Sequence, residues 1–181
     1  MAVIYDRVAL IGLGLIASSM GHAMKKWGLA NHVAGHAKSE ATRAAALEIG
    51  FCDTVHATAA EAVKGADLVV LAVPVGVMEA IASEIAPHLK PGATVTDVGS
   101  VKQAVVAAVG PHLPETVHFV PGHPLAGTEH SGPHSGFATL FQNRWTILTP
   151  VESAPAEAVE RLKSYWEGMG ANVDLMDAPH H

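Results

Sequence analysis

Apolar positions along this chain follow two alternating rhythms. Val8, Ala9, Leu10 and Ile11 form an unbroken apolar run, and Ala66 to Val73, ADLVVLAV, is apolar throughout save Asp67 near its start. Runs that are apolar on both faces are what the central strands of a parallel sheet require, because helices cover them from both sides. Between and after these runs the apolar residues recur at helical spacing. Met20, Ala23, Met24 and Trp27 make one such set, and Val77, Ile81, Ile85 and Leu89 another. The second set predicts a helix from Val77 to Leu89 buried through those four residues and ended by Lys90-Pro91-Gly92. Shorter elements fill the intervals: a strand His32 to Gly35, a helix Ala41 to Ile49 stopped by Gly50, a strand or connector Phe51 to Val55, and a brief helix Thr58 to Lys64. A strand Ala93 to Val98 and a helix Gln103 to Val109 follow. Strand and helix thus alternate from residue 8 to residue 109, the pattern of a doubly wound α/β sheet, mainly parallel, with helices on both faces.

Past Pro114 the rhythm changes. Val117 to Val120 reads as a strand, but Pro121 to Arg144 is rich in Gly, Pro, His and Ser and has no periodicity. A loop of that length in a compact domain is a functional element or a lid. Trp145 to Thr149 is a further strand, Ala156 to Met169 a helix and Ala171 to Leu175 a last strand.

Composition narrows the choice of partners. A net charge of −6 and 49% hydrophobic residues describe a folded globular chain without the basic face that nucleic acid or an anionic membrane demands. The single cysteine, Cys52, rules out an internal disulfide and reads as a small buried hydrophobe, in keeping with a reducing cytoplasm. The N-terminus has neither a basic segment nor a long apolar core, so no signal peptide is expected.

Candidate chemistry begins where the first strand ends. Gly12, Gly14 and Ala17 match G-x-G-x-x-G/A: Gly12 permits a tight turn, Gly14 lets a pyrophosphate approach the backbone, and Ala17 lets helix and strand pack closely. The amides opening the next helix, around Leu15 and Ile16, face the phosphates. This is the fingerprint of a Rossmann-type dinucleotide site. Right-handed crossovers set the loops ending at Gly14, Ala37, Pro74 and Ser100 along the carboxyl edge of the sheet, with Val73 and Pro74 closing one strand there. The tip of the second strand, which selects the cofactor, reads Gly35-His36-Ala37-Lys38-Ser39 and holds no acid. Lys38, Ser39 and Arg43 either surround a 2′-phosphate or are ordinary solvated groups, and NAD and NADP both stay open as cofactors.

His123, between Gly122 and Pro124, is placed like a general base, and Ser100 ends an earlier strand at the same edge. The plain alternative for His123 is a loop histidine satisfied by backbone. Four histidines in or near the loop, His118, His123, His130 and His134, suggest metal, but there is no H-x-x-x-H on a helix and no C-x-x-C pairing to support a metal site.

Three segments, GLGLIASS (Gly12 to Ser19), TDVGSVK (Thr96 to Lys102) and HPLAGTEHSG (His123 to Gly132), in this order, resemble the prephenate/arogenate dehydrogenase family of tyrosine biosynthesis. The resemblance implies NAD(P)-dependent oxidative decarboxylation of a cyclohexadienyl small-molecule substrate. It implies that His123 takes the proton of the ring 4-hydroxyl, that Ser100 touches that hydroxyl and the histidine, and that Thr128 and Glu129 stand at the pocket mouth in a gating role. Family members often carry an Asp at the end of the second strand where Ala37 stands here, which bears on NAD preference. The family also has a second, all-helical domain that forms a homodimer and supplies cations for the substrate carboxylates. By this resemblance residues 1–177 are the dinucleotide-binding domain and residues 178–181, ending in His181, the start of the helical domain. Two other readings stay in play: a non-catalytic dinucleotide-binding module, and another Rossmann oxidoreductase acting on a small hydroxy acid.

Overall fold

A computed structural model describes residues 2–181. Its main sheet has six strands, β1 (Tyr5–Ile11), β2 (Ala30–His36), β3 (Thr54–His56), β4 (Leu68–Leu71), β5 (Thr94–Asp97) and β6 (His118–Phe119). They lie in the order β3-β2-β1-β4-β5-β6 and every pairing is parallel. The order reverses beside β1, and that reversal opens the crevice for ligands at the carboxyl edge.

The sheet is covered on both sides because its strands are apolar on both sides. Val8 and Leu10 of β1 face one core with α1 (Leu15–Trp27), while Ala9 and Ile11 face the other with α3 (Ala59–Ala62), α4 (Val75–Ile85) and α5 (Lys102–Val109). α2 (Glu40–Ile49) joins the α1 side through Ala46. Ser39 and Thr58 cap α2 and α3 by accepting from Thr42 N and Glu61 N, and Gly28 and Gly50 end α1 and α2 in the left-handed conformation. No helix among the described residues is long and apolar enough to cross a membrane.

A continuous helix from Val77 to Leu89 is not what forms. α4 ends at Ile85 and a 3-10 turn, Ala86–His88, takes over, because Pro87 has no amide to donate and collides with the carbonyl four residues back. The buried stripe also differs: Met78, Ala82, Ile85 and Leu89 are buried, whereas Val77 is 46% exposed. Steps of four drift by about 40° each on a helix of 3.6 residues per turn, so the core-facing stripe alternates steps of four and three.

The expected featureless loop contains a strand. Gly122–Pro124 forms β7, antiparallel to β8 (Trp145–Leu148), and β9 (Asn172–Leu175) runs parallel to β8. These three make a second sheet. Its buried side, with Leu148, packs on α6 (Ala156–Gly168) through Leu162, Tyr165 and Trp166. α6 is tied to β1 by Arg161, whose guanidinium donates to Ile4 O and lies 4.4 Å from the Tyr5 ring.

Candidate active site

The glycine turn after β1 is forced by space as well as by dihedral angle. Gly12 has φ +95, and a Cβ there would stand 2.3 Å from Ala72 O and 3.0 Å from Val73 Cγ1. Its amide donates to His36 O at 2.8 Å, which links the first and second strand tips. Gly14 begins α1, and a Cβ built on it meets nothing within 4 Å. Ser18 N, bonded to Gly14 O at 2.9 Å, is the first amide returned into the helix, so those of Leu15, Ile16 and Ala17 lack an acceptor within it. Open space, free amides and the positive end of the helix dipole fit a pyrophosphate. Ala17 is fully buried against the sheet.

At the tip of β2, His36 Nδ1 bonds His56 O at 3.0 Å and Ala37 is buried. Lys38 and Ser39 are exposed. Arg43 folds back over the tip, donating from Nη1 to Ala37 O at 2.8 Å and Lys38 O at 3.1 Å. One nitrogen of its fork therefore braces the backbone of the tip. Pro74 starts α4 and Val73 leans on the glycine turn.

His123 sits on β7, opposite Ile147 of β8. It is half-buried, and its Nδ1 lies 2.6 Å from Nε2 of His181. Burial first, then the neighbouring His181 and Lys102, holds its pKa below the ordinary histidine value. The imidazole is thus neutral at pH 7 and able to take a proton. Ser100 is exposed on the loop after β5, and with Lys102, Gln103, Pro179 and His181 it lines a cleft of about 270 Å³. Ser100 and His181 therefore share a cleft, and His181 touches His123.

Thr128 and Glu129 lie on the exposed stretch after β7. Thr128 Oγ1 accepts from His130 N at 3.1 Å, and Glu129 is 3.5 Å from His130 Nε2. Among the described residues neither bonds Ser100 or His123. The loop continues across α1, where Phe137 N donates to Ser19 Oγ at 3.1 Å and Gly136 rests so close that a Cβ would be 2.1 Å from Ser18 Oγ.

Among the described residues no three His, Cys, Asp or Glu side chains converge as a metal site. Cys52 is buried beside Gly35, and burial pushes its thiol up to about 12, so it acts as a packing residue.

Three residues of the site escaped the sequence reading. His181 could not be paired with His123 across 58 positions. Asp97 and Lys102 form a fully buried ion pair directly beneath β7. Their signal was present, opposite charges five residues apart in the short turn TDVGSVK.

A parallel sheet with a glycine turn and open helix amides at its switch point defines a nucleotide-binding domain, and His123 stands at its edge. Residues 20–175 match the family described as prephenate dehydrogenase, nucleotide-binding domain. The cyclohexadienyl dehydrogenase of Zymomonas mobilis is 43% identical over 178 residues, 98% of this chain and 60% of that protein. The prephenate dehydrogenase of Bacillus subtilis is 36% identical, over 97% of this chain and 48% of its own length. Among solved structures, the prephenate dehydrogenase of A. aeolicus in complex with hydroxyphenyl propionate and NAD+ superposes with a TM-score of 0.89 at 28% identity, covering 97% of this chain and 61% of that one. The Synechocystis arogenate dehydrogenase gives the same TM-score, identity and coverage. The chain belongs to the prephenate dehydrogenase family, as its nucleotide-binding domain. It spans about half to three fifths of the length of these relatives.

Proposed function

We propose that this chain is the cofactor half of an NAD(P)-dependent dehydrogenase that oxidatively decarboxylates prephenate, arogenate or both, with His123 as general base. The observation that carries the reading is the His123–His181 bond. A neutral imidazole has one N–H. With Nδ1–H donated to His181 Nε2, the Nε2 lone pair of His123 is left to accept the proton of the substrate ring hydroxyl, while Ser100 Oγ orients that hydroxyl. Leu15, Ile16 and Ala17 amides bind the pyrophosphate, and Arg43, Lys38 and Ser39 receive the adenosine ribose. The bound nicotinamide supplies the hydride acceptor. As the hydroxyl proton passes to His123, hydride leaves C4, the C1 carboxylate departs as CO2, and the ring becomes aromatic. Aromatisation drives the step, so the protein has mainly to orient the substrate and remove one proton.

Prephenate carries two carboxylates, whose burial without cations costs several kcal/mol. Lys102 is already paired with Asp97, and no Arg or Lys is closer to His123 in sequence than Arg144. Residues 1–177 act as the dinucleotide domain, 178–181 lead toward a helical domain that supplies the missing cations, Thr128 and Glu129 gate the entrance, and the active enzyme is a cytoplasmic homodimer. The test is His123→Asn assayed in the active enzyme with both substrates and both cofactors. A loss of roughly 10²- to 10⁴-fold in kcat with unchanged dinucleotide affinity is expected. A rate within threefold of wild type overturns the assignment.

A further inference from the structure

We infer that the buried Asp97–Lys102 pair positions His123 and Ser100 relative to each other, a role that rests on reading His123 as the base. Asp97 ends β5 and Lys102 begins α5, and both side chains have no exposure at all. A buried ion pair is a poor device for stability alone, since a hydrophobic pair of similar volume is often as stable. Its bonds show a different use. Asp97 Oδ2 accepts from Gly99 N at 2.8 Å and Oδ1 from Gly122 N at 3.1 Å, while Lys102 Nζ donates to Asp97 Oδ2 and, at 2.6 Å, to Gly122 O. Gly99 precedes Ser100 and Gly122 precedes His123. One carboxylate thus fixes the backbone beside both site residues, and the lysine holds the other side of the same Gly122 unit.

The two loops need such a link. β6 pairs with β5 and Val120 N donates to Val95 O, but β7 lies in the second sheet, so the backbone ladder stops short of Gly122. The fit is tight: a Cβ at position 99 would be 3.1 Å from Asp97 Oδ2, and one at position 122 would be 3.2 Å from Asp97 O and 3.4 Å from Thr96 Oγ1. Glycine at both positions lets the carboxylate reach the backbone.

The test replaces the pair with a neutral one of similar volume, Asp97→Asn with Lys102→Met, so that no charge is left buried alone. In the active enzyme the pair variant should melt within a few degrees of wild type and keep its dinucleotide Kd and substrate KM, while kcat falls roughly 10²-fold, the cost of about 1 Å of misplacement. Asp97→Glu, which keeps both charges but moves the carboxylate by one methylene, should show the same split between kcat and KM. Folded variants with kcat within threefold of wild type overturn the proposal. Histidine-selective NMR and amide exchange on the unaltered chain test it without any substitution. A single His123 tautomer and a Gly122 amide as protected as those of β5 are expected, and an averaged tautomer with rapid exchange at Gly122 overturns it. His123→Asn measured in parallel separates the two failures. If that variant is active, the base assignment falls; if it is inactive while the pair variants are not, only the positioning role falls.

Discussion

His123 Nδ1 and His181 Nε2 meet at 2.6 Å across 58 residues of chain, so one ring nitrogen of the proposed base is already engaged. Removing the partner frees the ring to change tautomer and to turn. For His181→Phe we expect kcat to fall roughly 2- to 10-fold, the worth of about 0.5–1.5 kcal/mol for one neutral hydrogen bond, with dinucleotide affinity unchanged. Steady-state kinetics together with histidine NMR check this, and a ring locked in the same tautomer without His181 would count against the pairing.

Gly12 is held by its φ of +95 and by Ala72 O, 2.3 Å from where a Cβ would stand. Gly12→Ala should therefore destabilise the fold by at least about 1–3 kcal/mol and abolish dinucleotide binding, since the turn must open to admit the methyl group. Gly14→Ala has room within the protein and should cost little stability while still weakening the cofactor. Urea unfolding and calorimetric titration of both variants distinguish these outcomes.

The acid-free tip at Ala37, with Lys38, Ser39 and Arg43 around it, should let NADP bind at least as well as NAD. Charge-assisted bonds are worth about 1.5–3 kcal/mol each, so Arg43→Ala should reduce NADP affinity roughly ten- to hundredfold and NAD affinity much less. An NAD affinity more than tenfold the stronger in the unaltered chain would show that the guanidinium only braces the carbonyls of Ala37 and Lys38.

Acidification should weaken this fold well above the carboxylate range. Burial holds His22 below the ordinary histidine value, and burial with smaller charge effects does the same for His32, His56 and His123. The unfolded chain then takes up protons first as pH falls through about 6.5, which lowers stability until the folded-state values are passed. Asp53 and Asp67 act lower: burial raises both, but Lys25 with Val33 N and Lys90 with Arg7 N outweigh it and leave each below the ordinary value. Their share is present above about pH 4 and is lost as pH falls further. Urea midpoints at pH 8, 6 and 5 should decline stepwise, and a flat profile from 8 to 5 would refute the histidine contribution.

Much of the fold was legible because its causes are local. The runs at Val8 and Ala66 became central strands, since a sheet covered on both faces needs unbroken apolar sequence. The glycine turn was legible for a similar reason: Gly12 answers to the conformation of its own backbone. The stripe of α4 was misread at Val77 by a step of four held too long, and β7 was missed because a three-residue strand, Gly122-His123-Pro124, has too few side chains to set a period.

By itself, then, the sequence determined the alternation of strand and helix, the dinucleotide turn, the absence of an acid at the second strand tip and the family, through TDVGSVK and HPLAGTEHSG. The tertiary structure alone decided that the last three strands form a separate sheet, that His181 returns to His123, and that Asp97 and Lys102 grip the backbone before both site residues. These depend on partners distant along the chain, or on one peptide unit meeting a buried charge. Local pattern carries no record of such meetings, because each residue alone could satisfy its hydrogen bonds in water. The packed fold removes the water, so a buried donor or acceptor gains most from whatever partner the protein brings to it.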